Sequence, residues 1–352
     1  MEIICRVCKN KSIKIYSTYV TPECIWPTKI KSHSSRCHVF SCTNCSHLQL
    51  QNFSKERIFK FYGDIQSNLN KSSTHLNRLS LIKSHYGSNF FKKKKILDVG
   101  GGINPILYGK NIFLADFKIQ KKMKYLLKKN FYEIDVEKDN INNQFDIIFL
   151  THTLEHFKYP KKAIINIMKS LKINGRLFIE IPNFDFYTKK NTYYAIFHQH
   201  LSMFTLSHLS NFLKICGLTI DKLFLKTNVI FCSVKKKEIN KKKLVYIDNR
   251  KIFKRLNKNY TKMKKKIFSY IENRKFDIYG AGGSMVLCLA SLRNISKNIN
   301  LVFDNDPSKQ SMLFPGTDIK IYKKIKKPKL HNKLSLSSYK LKKNKNLNIH
   351  LV

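Results

Sequence analysis

Apolar residues along the chain fall into two alternating kinds of run. Stretches of roughly four to eight residues, bounded by Gly, Asn or Asp, read as buried strands. They are Ile96 to Val99 and the segments NIFLADF, NFYEIDV, FDIIFLTH and GRLFIEIP. Between several of them the apolar positions recur with helical spacing. The clearest case is YPKKAIINIMKSLKING, which predicts a helix closed by Gly175 as a C-terminal cap. Strand and helix alternating in this way predict an α/β fold with a mostly parallel, doubly wound sheet. GLTIDKLFL and NVIFCSVKK predict a closing hairpin, and Thr205 predicts the N-cap of a helix running to Cys216, with Gly217 at its end.

The flanks divide the chain further. Residues 53 to 92 carry a helical pattern that includes Phe61, Leu76, Leu79 and Ile82, and the Lys-rich stretch from 236 to 275 reads as a helical linker. Beyond it, FDIYGAGGSMVLCLASL and INLVFDNDPSKQSMLFPGTDIKIY repeat strand, glycine turn and helix, then strand and loop. The expected units are residues 1–55, a helical connector at 56–92, a central domain at 93–236, a basic linker at 237–275 and a Rossmann-like unit at 276–352. After Tyr322 the sequence turns basic and weakly periodic, so the last unit is expected to be cut short or diverged.

Charge changes the picture less than its size suggests. The formal net charge is +45, but only nine of the 67 basic residues are Arg, leaving 58 Lys (67 − 9) spread over all 352 residues. A surface built for nucleic acid would cluster its charge and favour the bidentate fork of Arg. A composition-wide drift toward Lys is the better account, and nucleic acid is disfavoured as a partner; an anionic small substrate is attracted equally well. No run of eighteen apolar residues predicts a membrane span. The opening MEIICRVCKN lacks the charged-then-apolar order of a signal peptide, so a cytoplasmic protein is expected. Oligomeric state leaves no mark in the sequence.

Nine cysteines in such a chain do not read as disulfides. Four form two C-x-x-C pairs, Cys5 with Cys8 and Cys42 with Cys45, with 33 residues between the pairs. Two such pairs supply the all-sulfur tetrahedral shell of structural zinc, with no position left open for catalysis. The gap requires a small subdomain to fold within it; Cys24 and Cys37, inside the gap, are expected to be spectators.

The strand ending DVGGG places Asp98, Gly100 and Gly102 where a doubly wound sheet binds its ligand, the glycines letting backbone approach closely. Asp116 ends the second strand, where a carboxylate can accept from ribose hydroxyls, and Asp135 ends the third, near an adenine. With FDIIFLTHTLEH and LKINGRLFIEIPN following in that order, the segment resembles a class I S-adenosylmethionine-dependent methyltransferase. The fold class expected is thus a class I methyltransferase sheet with an N-terminal zinc-binding subdomain and a C-terminal Rossmann-like unit.

The whole arrangement, with CTNCSHLQL at one end and YGAGGS and DNDPSKQSMLFPG at the other, resembles the three-domain sugar C-methyltransferases from about residue 5 to about residue 322. The resemblance implies S-adenosylmethionine as cofactor, structural zinc, and a nucleotide-linked 4-keto-deoxysugar as substrate. Where that family reads Tyr-His-Glu-His, this chain reads Phe197-His198-Gln199-His200. His200 therefore takes the place of the base that removes the proton beside the ketone, with Gln199 and His198 as its neighbours in the catalytic set. Gln199 cannot hold a negative charge, and Phe197 lacks a phenol. NLNKSSTHLNR also lacks the tyrosine usual before the paired serines, Asn70 standing near that place; Tyr193 or Tyr194 would have to supply a phenol from a shifted position. His198 is expected either to share in catalysis or to satisfy a buried carbonyl. Glu155 and His156, after the fourth strand, are expected to orient ligand rather than act as base. The alternatives are an O- or N-methyltransferase, an RNA-binding zinc protein, and an inactive paralogue that keeps only its cofactor.

Overall fold

In the computed structural model, the residues described are 1–51, 73–102, 105–119, 121–190, 192–236, 244–271, 275–292, 295–323 and 333–335. Phe61 and Asn70 lie outside them, as do much of the connector and most of the basic tail.

The gap between the two cysteine pairs is filled by a hairpin. β1 (Glu2–Ile4) pairs with β2 (Lys11–Pro22), β2 with β3 (Ser34–Cys42), and β3 with β4 (Leu48–Leu50), all antiparallel. The fifth strand of this sheet comes from far along the chain: β10 (Ser202–Met203) pairs antiparallel with β4. Boundaries drawn from the sequence do not anticipate this return.

Residues 73–236 build the large sheet. The connector helix α1 (Ser73–Tyr86) precedes β5 (Ile96–Val99), followed by β6 (Ile112–Asp116), the helix α2 (Lys121–Leu127) and β7 (Phe131–Glu133). Then come β8 (Phe145–Thr151), α3 (Pro160–Lys169), β9 (Leu171–Pro182) and α4 (Phe184–Lys190). After β10 the chain forms α5 (Leu206–Ile215) and the hairpin β11 (Leu218–Lys226) and β12 (Val229–Lys236). The sheet order is β11-β12-β9-β8-β5-β6-β7, with β12 antiparallel to both neighbours and the other five strands parallel. All four residues of β5 are buried, as a strand covered on both faces requires. The order reverses beside β5, between β6 and β8, so a crevice opens at the carboxyl ends of β5 and β8.

One expected boundary moves. α3 begins at Pro160, whose fixed φ suits the first turn, and ends at Lys169 rather than Gly175. Ser170 stops it: its hydroxyl donates to the Ile141 carbonyl at 2.8 Å, and its own carbonyl accepts from Phe145 N–H at 2.9 Å. Gly175 instead lies inside β9, in a bulge between the pairs Phe145–Leu171 and Ile147–Arg176. A Cβ there would fall 2.7 Å from Leu171 Cδ1. The Thr205 cap and the closing hairpin are as expected.

The helix α6 (Asn249–Ile271) leads to a smaller parallel sheet. Its strands β13 (Phe276–Tyr279), β14 (Ile299–Phe303), β15 (Ile321–Tyr322) and β16 (Lys333–Ser335) stand in the order β15-β14-β13-β16, with α7 (Gly283–Ala290) after the glycine turn. β16 supplies one strand beyond Tyr322, so the sheet extends past the point where the sequence loses its periodicity. The core of this unit, including Phe276, Ile278 and Met285, also takes in Ile25, Tyr193 and Phe197. The segment from 193 to 203 is thus shared among all three units.

Candidate active site

The glycine turn follows β5. Gly100 is left-handed (φ +83°), and its N–H donates to the Ala115 carbonyl at 2.8 Å. A Cβ on Gly100 would overlap the Thr153 side chain, one on Gly101 would sit 2.6 Å from Asp98 Oδ2, and one on Gly102 would overlap the Asp116 carboxylate. These glycines let the turn close on its own side chains, which is more than the ligand approach the sequence suggests. Asp98 Oδ2 accepts from Ile106 N–H at 2.7 Å, while Asp98 Oδ1 is buried with no hydrogen-bond partner. Asp116 Oδ2 accepts from Gly102 N–H at 2.8 Å. Burial pushes Asp98 up to about 7 and Asp116 up to about 6, the backbone N–H of Ile106 and of Gly102 respectively opposing it. Asp135 lies just beyond β7, its Oδ1 accepting from Glu137 N–H at 3.1 Å in the turn that follows. An orphaned buried carboxylate oxygen in a crevice lined by glycine fits a ligand that brings hydrogen-bond donors. Asp98, Gly100, Gly102 and Asp116 meet in this turn and Asp135 lies beyond the third strand; these are the residues that would hold S-adenosylmethionine, which would supply an electrophilic methyl group.

Next to this crevice, the loop after β8 builds a charged network. Thr153 ties the two loops together by donating to the carbonyls of Val99 at 3.1 Å and Thr151 at 2.9 Å. His152, left-handed at φ +49°, directs Nε2 to Glu180 Oε1 at 2.9 Å and Nδ1 toward Glu155 Oε1 at 3.5 Å. Arg78, from α1, forms a buried bidentate pair with Glu180. Burial alone would depress His152, but the hydrogen bonds and negative charge of Glu155 and Glu180 hold it up to about 9. Burial likewise would raise Glu155; the hydrogen bond from His152, with His156 and His200 nearby, keeps it down to about 2. Arg78, His152 and Glu180 escape the sequence reading. A carboxylate inside the apolar run of GRLFIEIP is the one local signal, and its partners become visible only when β9, β8 and α1 pack together.

The segment Phe197–His200 delivers each side chain to a different place. Phe197 is buried, and its ring centroid stands 4.1 Å from that of His200. His198 is fully buried, with Nδ1 3.2 Å from Thr21 Oγ1 and Nε2 2.9 Å from Ser35 Oγ. It meets two hydroxyls of the N-terminal sheet. Gln199 turns its carbonyl to His156 Nδ1 at 2.7 Å, and its buried Nε2 has no hydrogen-bond partner. His200 stands beside the loop after β8, its Nε2 4.0 Å from Glu155 Oε1 and its ring 5.0 Å from that of His156. Burial, helped by His156, lowers His200 to about 3 against the pull of Glu155, so the imidazole stays neutral. Of the two tyrosines, Tyr194 packs on Phe197 at 5.0 Å, while Tyr193 packs against Tyr260 of α6 at 5.3 Å.

At the far end of the N-terminal sheet the four cysteines converge. Cys5 and Cys45 sulfurs are 3.7 Å apart, Cys8 and Cys42 3.4 Å, and all four lie within 4.8 Å of one another. Tetrahedral zinc with bonds of about 2.3 Å separates its sulfurs by about 3.8 Å. The backbone N–H groups of Val7, Asn44 and Cys45 point at sulfur, each at 3.4 Å. Donor set and geometry fit structural zinc. Cys24 and Cys37 are buried outside this set, as expected of spectators.

Residues 73–223 match the family described as a methyltransferase domain. Comparison with curated proteins finds no match. Among solved structures, the chain is similar to the 1,6-didemethyltoxoflavin-N1-methyltransferase of Burkholderia thailandensis with bound S-adenosylhomocysteine, at 12% identity over 56% of this chain and 98% of that one (TM-score 0.39). It is also similar to a mitomycin 7-O-methyltransferase, at 14% identity over 47% of this chain (TM-score 0.35), and spans 54% of that protein's length. An S-adenosylmethionine-dependent methyltransferase of Clostridium acetobutylicum gives 14% identity over 47% of this chain and 92% of that one (TM-score 0.37). Residues 73–223 thus carry a methyltransferase domain, and the large sheet they help to build is the mostly parallel α/β sheet expected of it. Among the described residues no helix is long and apolar enough to cross a membrane.

Proposed function

We propose that the chain methylates the carbon beside the ketone of a nucleotide-linked keto-deoxysugar. The observation that carries this reading is the meeting of Glu155, His156 and His200 at the carboxyl end of β8, one loop from Asp98 and Gly100. An acceptor bound there stands between this cluster and the methyl donor. Its α-carbon loses a proton to the cluster side, and the electron pair delocalises onto the ketone oxygen. The enolate carbon then attacks the methyl, the sulfonium C–S bond breaks, and the products are the methylated ketone, S-adenosylhomocysteine and one proton. A positioned base contributes roughly 10²–10⁴-fold to such a rate. The cysteine site and the two flanking units support the same reading through their likeness to the sugar C-methyltransferases.

The test supplies zinc-loaded protein with S-adenosylmethionine and a panel of nucleotide-linked 4-keto-6-deoxysugars in heavy water, following deuterium uptake and methyl addition by mass spectrometry. Both are expected for one member, and both are expected to collapse in His200→Ala. A cofactor-binding protein that neither exchanges nor methylates any member sinks the keto-sugar reading. One observation favours a second reading, an oxygen or nitrogen acceptor: the apolar Phe197 ring packs on His200 where the related motif carries a phenol. Methyl addition without deuterium uptake distinguishes that case.

A further inference from the structure

We propose that Glu155, His156 and His200 form a second metal centre, a two-histidine, one-carboxylate site for a divalent transition-metal ion with positions open to the acceptor. Their ligand atoms all lie within 4.8 Å of one another, with His156 Nε2 3.9 Å and His200 Nε2 4.0 Å from Glu155 Oε1. Glu155 is 1% exposed, and apart from the long 3.5 Å approach of His152 Nδ1 to Oε1 its two oxygens take no hydrogen bond. A buried carboxylate left in that state is costly unless a cation meets it. Tetrahedral coordination with bonds of about 2.0–2.1 Å needs donors about 3.3 Å apart, so side-chain rotations bring the two histidine nitrogens about 0.6–0.7 Å closer to Glu155 to complete the shell.

The surroundings orient the ligands. The Gln199 backbone carbonyl can only accept, so His156 Nδ1 carries the hydrogen in that 2.7 Å contact, and Nε2 is the ring atom turned toward Glu155. A histidine ligand held at its other nitrogen by a backbone carbonyl is the usual outer-shell arrangement of a metal site. His152 Nδ1 also approaches Glu155 Oε1, at 3.5 Å, and is itself anchored through Glu180 to Arg78. Two histidines and one carboxylate leave at least one position open, the pattern of a catalytic rather than a structural site. The four-cysteine site, by contrast, is closed.

This inference rests on the acceptor reading of the crevice and deepens it. A divalent ion there acts as a Lewis acid on the acceptor's oxygen and stabilises negative charge as it develops. With His200 ligating the ion rather than acting as base, the acceptor's proton passes to water, and the electron pair freed on carbon or oxygen attacks the sulfonium methyl. No electron is gained or lost by the metal.

The test uses the full chain with zinc in the cysteine site, titrated with Mn²⁺ and separately with Zn²⁺, and followed by equilibrium dialysis, metal analysis and the paramagnetic signal of Mn²⁺. One further ion per chain is expected. Glu155→Gln and His200→Asn should each weaken it by about tenfold or more, with cysteine-bound zinc and far-ultraviolet dichroism unchanged. Should one variant misfold, the other and the wild-type stoichiometry still decide. Wild-type protein that binds no ion beyond the cysteine zinc overturns the centre, as do folded variants that bind as tightly as wild type. An ion bound as expected with no turnover of any keto-sugar leaves the centre standing and sinks the acceptor reading.

Discussion

His198 Nε2 lies 2.9 Å from Ser35 Oγ, a hydrogen bond spanning 163 positions of sequence between the N-terminal sheet and the segment that carries His200. Two residues on, His200 Nε2 lies 4.0 Å from Glu155 Oε1, in the methyltransferase domain. The sheet that carries the four cysteines therefore helps to position His200 through its neighbour. His198→Ala should strand the hydroxyls of Thr21 and Ser35 and cost about 2–3 kcal/mol of stability, read by urea denaturation. Affinity for S-adenosylmethionine, held at β5 and β6, should remain within about twofold. A neutral substitution would mean that these hydroxyls find other partners.

Gly100→Ala places a Cβ against Thr153 at a left-handed φ, a conformation that costs a non-glycine residue roughly 1–2 kcal/mol before the overlap is counted. Calorimetry should show cofactor affinity lost in the single variant. Adding Thr153→Ala relieves the overlap but not the φ, so recovery should be partial. Full recovery would show that the backbone conformation carries no penalty here.

Arg78→Leu removes one partner of a buried bidentate pair and should destabilise by about 3–5 kcal/mol. Replacing both members, Arg78→Met with Glu180→Met, should return most of that stability. Methyl transfer should stay low even so, because His152 loses its anchor on Glu180. Activity that returns along with stability would show that His152 needs no such support.

Removing metal from the cysteine site with a strong chelator, or changing Cys8→Ser, should unfold the sheet of β1 to β4. Four thiolates 3.4–3.7 Å apart in facing pairs repel once uncompensated, and structural zinc contributes on the order of 10–16 kcal/mol in small domains. Limited proteolysis should then cut first within residues 1–51. A cleavage pattern unchanged by metal loss would mean that packing alone holds this sheet.

His208 gives stability a pH dependence whose sign is fixed by its tautomer. Its Nε2–H donates to Asn249 Oδ1 at 2.9 Å, and Nδ1 accepts from the Thr205 hydroxyl at 2.8 Å. Burial lowers it from an ordinary value near 6.5 to about 4, the Asn249 hydrogen bond opposing. Between those values the unfolded chain binds the extra proton, so this contribution is whole above about 6.5 and lost as pH falls toward about 4, on the order of 3 kcal/mol at most. His208→Gln retains a capping-box side chain without the titration. The stability gap between variant and wild type should therefore shift in the variant's favour on acidification, and a gap independent of pH would show that His208 does not titrate in this window.

The parts legible in the sequence are those written locally. β5 and its glycine turn, the Thr205 cap, the β11–β12 hairpin and the cysteine pairs each depend on neighbours within a few residues. The end of α3 was not legible, because Ser170 acts through Ile141 and Phe145 rather than through any residue of the helix. Nor was the pairing of Arg78 with Glu180, 102 positions apart, or the destination of His198. Phe197, His198 and His200 read as one motif, yet their side chains serve the C-terminal core, the N-terminal sheet and the crevice in turn.

The two residues of β10 carry a larger consequence. Ser202 and Met203 complete a sheet whose other strands all lie within the first fifty residues, while the stretch recognisable as a methyltransferase domain runs from 73 to 223. The module that sequence comparison isolates is therefore smaller than the cooperative unit that folds. A fragment cut at residues 73 and 223 would keep the cofactor turn, yet it would lose the partner strand that sets the register of the loop after His200. Grafting this domain onto other acceptor-binding units would have to carry β4 along, or replace the clamp it provides.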